Sequence, residues 1–421
     1  MLIYLPAVYF SALLIYAYRR NGFDISCCII GIYLFTGICS ILLYQNDPEF
    51  AGMEPSLIPA ILYCSMITLV TWPFIQFNSN KPRNLKRLNL TAFNILSWLF
   101  IISFIFSLVL FKDDLLFRLA LGDNIGSMRG LRTETAQSRL PGILKFLSTV
   151  SVAICSVSAV AFILFFYSVS FLKKSKLFNF LLLLSSFGCI ISGIMNIDRS
   201  ITFYWIINFI FIYILFQQYL SKKIKKWVSI FAGIALWMLG SYLVLMTFSR
   251  FGDKALDSVL SYMGQNYLNF CWFWDNYEAP VVNWGIFCPV TSHFFIDWGF
   301  PVSAVPFGWF VEDHVGYFVN VFYTFMGTIM LYLGQWAVIP FCIIYSIIAR
   351  KTLSIHSTIG IQNFIYIFII AIVPYDGVIL YLLVDYIKAF GIIVLLVFCA
   401  NIKRNGILKK IDEIKIRHLK Y

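Results

Sequence analysis

Charge is what this chain has least of. Only 12% of its 421 residues are Asp, Glu, Lys or Arg, against about a quarter in soluble proteins. That excludes an ordinary soluble fold, and no polar stretch is long enough to fold alone. Acid is scarcer than base, with 20 Asp and Glu to 32 Lys and Arg. There is no Gly-rich phosphate loop, no Gly-x-Ser-x-Gly elbow and no Cys/His spacing of a zinc site. The "DD" at 113–114 is not the spaced acidic pair that holds a metal against a nucleotide-sugar diphosphate. No metal or other cofactor is expected. The first apolar run, 2–18, has no basic segment before it and no small-residue cleavage pattern after it, so it reads as a retained span.

What is present is apolar: 60% of the chain is hydrophobic. A helix needs about 20 apolar residues to cross a bilayer, and many runs reach that length. A β-barrel would show shorter, alternating strands. The expected fold is an all-α polytopic membrane protein with about eleven transmembrane helices. The spans read at 2–18, 26–44, 57–77, 91–111, 146–172, 177–196, 201–220, 227–247, 318–349, 362–382 and 384–400. Within 318–349 a short helix is expected to break near Gly334 before the crossing proper. Of ten cysteines, most sit inside apolar runs as small hydrophobes. Cys271 and Cys288 fall in a long polar loop, where a disulfide or two free thiols are both open.

Basic residues set the orientation. They cluster at Arg19-Arg20, "KPRNLKR" (81–87), "KKSK" (173–176), "KKIKK" (222–226), Arg350-Lys351 and the tail 401–421. These fall on alternate connections and by the positive-inside rule are cytoplasmic. They hold 22 of the 32 Lys and Arg but only Asp24, Asp412 and Glu413 of the acids. The net charge of +12 therefore describes anchoring to anionic membrane lipid, not nucleic-acid binding. The N-terminus is expected outside and the C-terminus inside, in one membrane domain over 1–421.

Two long outer loops result, 112–145 and 248–317, and loops of that length usually carry function. The first holds Arg118, Arg129, Arg132 and Arg139; Arg199 sits in a short outer turn and Arg250 follows the eighth span. Arginines work against the orientation signal on that side, while their planar fork suits phosphate. They read as a diphosphate-binding set. The other reading pairs Arg132 with Glu134 and Arg250 with Asp253 in ordinary salt bridges. The second loop opens with an amphipathic helix over 253–268, expected to lie in the headgroup plane. It is dense in aromatics, among them Tyr262, Trp272 and Trp274, beside Asp275. Such rings anchor at interfaces in any membrane protein and also stack on sugars. The loop's carboxylates and amides favour a hydroxyl-rich ligand. In "VEDHVG" (311–316), Glu312, Asp313 and His314 place three titratable groups together, with Asp313 or His314 as the candidate general base. Asp376 and Asp385 near the last outer turn read either as cavity residues or as interfacial ones.

An arginine after a span, a "YMGQNYLNF" amphipathic stretch, a long aromatic loop and then "GYFVNVFYTFMGTIMLYLGQWAVIP" (316–340) resemble the Wzy-type oligosaccharide repeat-unit polymerases. The most specific part is Asn320, Tyr323, Thr324, Phe325 and Gly334. Two departures stand out: Tyr332-Leu333-Gly334 replaces an Asp-Phe-Gly arrangement, and no outer arginine is followed by glycine after ten intervening residues, as some members have. The resemblance implies a bacterial inner-membrane glycosyltransferase that joins undecaprenyl-diphosphate-linked oligosaccharide units into O-antigen or capsule. It implies Arg250 at the diphosphate in catalysis, Tyr323 among the glycan contacts, and a chain-length regulator and a flippase as partners. An O-antigen ligase or a lipid-linked oligosaccharide flippase shares much of this layout.

Overall fold

The computed structural model describes residues 1–85, 90–113, 115–116, 141–196, 200–252, 255–276, 324–354, 358–378 and 391–399. They form an all-α bundle. In chain order the helices are α1 (Leu5–Asn21), α2 (Ile25–Asn46), α3 (Leu57–Phe77), α4 (Leu90–Leu110), α5 (Gly142–Ser156), α6 (Ala159–Tyr167) and α7 (Lys176–Ser185). They continue as α8 (Gly188–Asn196), α9 (Ser200–Phe216), α10 (Lys222–Phe251), α11 (Ala255–Asn276), α12 (Thr324–Leu333), α13 (Val338–Leu353) and α14 (Ile361–Asp376). A further helical run occupies 391–399. Two short strands, β1 (Asn84–Leu85) and β2 (Thr358–Ile359), pair in parallel.

Among the described residues seven helices are long and apolar enough to cross a membrane, and an eighth crossing arises if one bent pair counts as a span. The shortfall from eleven has local causes. The run expected at 177–196 breaks into α7 and α8 at Ser186 and Phe187. Helix α14 stops at Asp376 after 16 residues. Of 384–400, only 391–399 is described. The break expected near Gly334 is there: α12 ends at Leu333, Gly334 takes φ +92°, and a 3₁₀ turn over Gln335–Ala337 leads into α13. A side chain would be strained at that φ, which glycine tolerates.

The helix ends follow ordinary capping chemistry. Asp24 caps α2, accepting from the backbone N–H of Ser26 at 3.0 Å and of Cys27 at 3.3 Å. Ser175 and Ser221 cap α7 and α10. At one end of the bundle, polar side chains tie the turns together. The Asn80 amide donates to the carbonyls of Asn21 (2.9 Å) and Phe23 (3.0 Å), and Gln217 donates to Asn80 at 2.9 Å. Arg83 caps α3 through the Phe77 carbonyl at 2.7 Å, its guanidinium lying 4.2 Å from the Phe77 ring centre. The described basic clusters, from Arg19 to Lys351, gather at this basic end. The opposite end carries the chain's start, where Gln45 reaches the Tyr4 hydroxyl, and is the loop end.

The core between them is aromatic. Phe10 lies 5.6 Å from Tyr33 and 6.2 Å from Tyr63, and Tyr63 lies 5.0 Å from Tyr267, ring centre to ring centre. Inside a membrane such rings hold helices together by close packing rather than by expulsion of water. Elsewhere α5 and α6, with the turn of π-helix that follows, bend by 65° at a break. That break abuts the one between α7 and α8. The Ser158 hydroxyl donates to the Ser186 carbonyl at 2.9 Å and accepts from the Cys189 N–H at 3.1 Å, while the Trp205 indole donates to Ser186 at 3.1 Å. Backbone groups freed by the two breaks are thus satisfied within the protein, as a membrane interior requires.

Candidate functional site

Helix α11 carries most of the described candidate residues, and it is longer and more buried than the amphipathic stretch the sequence suggests. In its first turns Leu256, Asp257 and Val259 are exposed, Leu256 by 75%. From Gly264 to Trp274 every residue except Trp272 is buried, and the helix runs on to Asn276 rather than ending at 268. Its C-terminal half is packed into the bundle against α2, α3 and α12. Gly264 makes this possible. A Cβ there would meet the Cys39 carbonyl oxygen at 2.6 Å and the Leu43 Cβ at 3.0 Å. The Ser40 hydroxyl seals the crossing by donating to the Gly264 carbonyl at 2.6 Å. One turn on, the Tyr267 hydroxyl donates to the Leu2 carbonyl at 2.9 Å.

These anchors bring the end of α11 to the loop end of the bundle, where a polar and aromatic cluster forms. Trp274 is buried and meets Trp336 edge to face, with ring centres 5.5 Å apart. Trp336 is 66% exposed. The Gln335 amide donates to the Trp274 carbonyl at 3.0 Å, and the Ser56 hydroxyl donates to the Asp275 carboxylate at 2.9 Å. An exposed indole, a carboxylate, an amide and a hydroxyl thus share one rim. A ring face with flanking hydrogen-bond partners is the chemistry that holds a sugar.

Of the sequence candidates, the structure brings Trp274 and Asp275 together here. Tyr262 and Trp272 sit on the same helix, on other faces. Arg250 is the penultimate residue of α10, two residues before the Gly252 turn that leads toward α11. Arg129, Arg132, Arg139, Arg199, Asp313, His314 and Tyr323 lie outside the described residues, as do Arg118 and Cys288. Cys271 is a free, buried thiol on the packed part of α11. Sequence reasoning missed Trp336, Gln335 and Ser56. The first two stand directly after Gly334 in "LGQWAVIP", so the expected break was the signal that could have marked them as a rim.

By fold and composition this is an all-α protein of the polytopic membrane class. Compared with protein-family models, curated proteins and solved structures, the chain matches none of them.

Proposed function

We propose that this protein is a glycosyltransferase of a bacterial inner membrane. It polymerises undecaprenyl-diphosphate-linked oligosaccharide units into O-antigen or capsular polysaccharide at the outer face. The loop end faces outward and the basic end the cytoplasm, with about eleven spans in all. The observation that carries this reading is the rim at the end of α11, where Trp336, Gln335 and Ser56 gather around Trp274 and Asp275 at the loop end of the bundle. A hydroxyl-rich chain presented by a lipid needs such a surface at that depth.

In the reaction, a hydroxyl of the acceptor unit attacks the anomeric carbon of the growing chain. The bond from that carbon to the diphosphate oxygen breaks, and undecaprenyl diphosphate leaves. Arg250 with Arg129, Arg132, Arg139 and Arg199 neutralises the charge that develops on the leaving group. Asp313 or His314 takes the proton from the acceptor hydroxyl. The donor arrives activated, so the step draws on neither nucleotide nor metal.

One observation favours a second reading. The 65° bend between α5 and α6 is a broken span of the kind found in transporters, which fits a flippase for the same lipid-linked units. Those breaks, however, are closed on each other by Ser158, Ser186 and Trp205.

The test is glycan length on a gel from a strain lacking the gene. Single repeat units without the protein, and a ladder with it, are the expected result. Arg250→Ala and Trp336→Ala, present at normal level, are expected to lose the ladder by at least tenfold. Long chains stranded on the lipid carrier would make the protein a ligase instead. Complete absence of surface units would make it a flippase.

A further inference from the structure

Two neighbouring amides on α11 are buried with part of their hydrogen-bonding capacity unused. Gln265 is 9% exposed and Asn266 is fully buried. Each uses one side of its head group within its own helix: Gln265 donates to the Ser261 hydroxyl, and Asn266 donates to the Met263 carbonyl at 3.3 Å. The other side is unused. Neither the Gln265 Oε1 nor the Asn266 Oδ1 meets a donor among the described residues. Turning either amide over would only leave an N–H₂ in the same position, so one half of each head is unpaired in both orientations.

Such groups are costly. A buried polar atom without a partner loses about 1–3 kcal/mol, and a membrane interior offers no water to make that good. Leucine at both positions would keep the helix and remove the penalty. The position adds a constraint. Gly264, next in the chain, is seated between Cys39 and Leu43, which are seven and three residues before the end of α2 at Asn46. At 1.5 Å per residue the amides lie about 5–10 Å inside the loop end of that span. Successive residues turn by about 100°, so Asn266 leaves α11 on the side opposite the α2 contact that Gly264 makes, and Gln265 leaves it on the flank.

We propose that Gln265 and Asn266 form an acceptor pair for the hydroxyl or amide N–H groups of the sugar next to the lipid diphosphate. The inference rests on the proposed function. It adds a second, deeper contact to the rim at Trp336 and Asp275. The rim holds the glycan chain; the amides read the sugar that the lipid anchor holds near the bilayer surface. Acceptors suit this task because sugar hydroxyls and N-acetyl groups are donors, whereas a bare diphosphate at neutral pH is not.

The experiment uses the full chain in lipid nanodiscs, with undecaprenyl diphosphate carrying one N-acetylhexosamine and, separately, undecaprenyl diphosphate alone. Affinities and melting temperatures are measured for wild type, Gln265→Leu, Asn266→Leu and the milder Gln265→Met. Wild type is expected to prefer the sugar-bearing lipid. The variants are expected to bind it about tenfold more weakly, the size of one lost hydrogen bond of ~1.4 kcal/mol, while affinity for the bare lipid stays the same. Without any lipid, their melting temperatures are expected to equal or exceed wild type. A variant that melts several degrees lower shows that the amides serve the fold and overturns the proposal. So does a variant that keeps wild-type preference for the sugar. If wild type itself shows no such preference yet builds polymer in cells, this inference fails and the function stands. If no polymer depends on the protein, both fall.

Discussion

At the scale of single residues, the chain spends its few charges where they do local work, and Asp24 shows how. Its carboxylate accepts from Ser26, Cys27 and Asn21 while wholly buried at the basic end. Burial outweighs those hydrogen bonds and raises its pKa above the ordinary carboxylate value. The folded state therefore holds this proton more firmly than the unfolded chain does. Its contribution is full below the unfolded pKa and is lost as pH rises through the folded one. Asp24→Ala removes the cap and is expected to cost about 1–2 kcal/mol. Asp24→Asn keeps one acceptor for the α2 N-terminus and is expected to cost less. It should also flatten the fall in melting temperature that this carboxyl produces as pH rises above the ordinary carboxylate range. Melting curves of the purified protein across that rise decide it; an unchanged slope in Asp24→Asn would remove the carboxyl from the account. The sequence showed Asp24 only as a stray acid among cytoplasmic bases. Its capping role needed the turn geometry that puts it one residue before α2.

At the scale of elements, the spans were legible and the helix that matters most for the site was not. Long apolar runs identify α2, α3, α4 and α9 because lipid-facing and protein-facing residues are both hydrophobic there. Helix α11 has Gln265, Asn266 and Asn269 in its buried half, so its composition reads as a surface helix when it is in fact packed. The breaks at Ser158 and Ser186 were equally hidden, since serine pairs across two helices cannot be seen in either one alone. The break at Gly334 was visible because glycine marked it. The crossing of α11 on α2 can be tested directly. In Gly264→Val the added atoms would collide with the Cys39 carbonyl, and an overpacked contact of this kind costs about 1–3 kcal/mol. The expected outcome is a melting temperature several degrees lower and loss of glycan polymer. Gly233→Val is the control, because a Cβ there meets nothing within 4 Å. Equal behaviour of the two variants would mean that the α11–α2 contact does not position the site.

At the scale of the whole molecule, everything turns on which end faces out. The described basic residues converge on one end through contacts the sequence could not show, such as Gln218 to the Ser79 carbonyl at 2.8 Å and the pairing of β1 with β2. Alternate connections rich in Lys and Arg were the sequence's only statement on this point, and the fold brings them to one face. Each Lys or Arg near an anionic leaflet contributes about 1 kcal/mol, so the described clusters bias the orientation by far more than thermal energy. Under the proposed function, the lipid diphosphate, the glycan rim and the deeper amide pair would all require the other end to face the outside. Lys223 and Asn276 are both exposed and lie at opposite ends. In spheroplasts treated with a membrane-impermeant maleimide, Asn276→Cys is expected to label at once and Lys223→Cys only after permeabilisation. The reverse pattern would put Trp336 and Asp275 in the cytoplasm. There a nucleotide-activated donor would be the available substrate, and the polymerase reading would lose its donor and its reaction together.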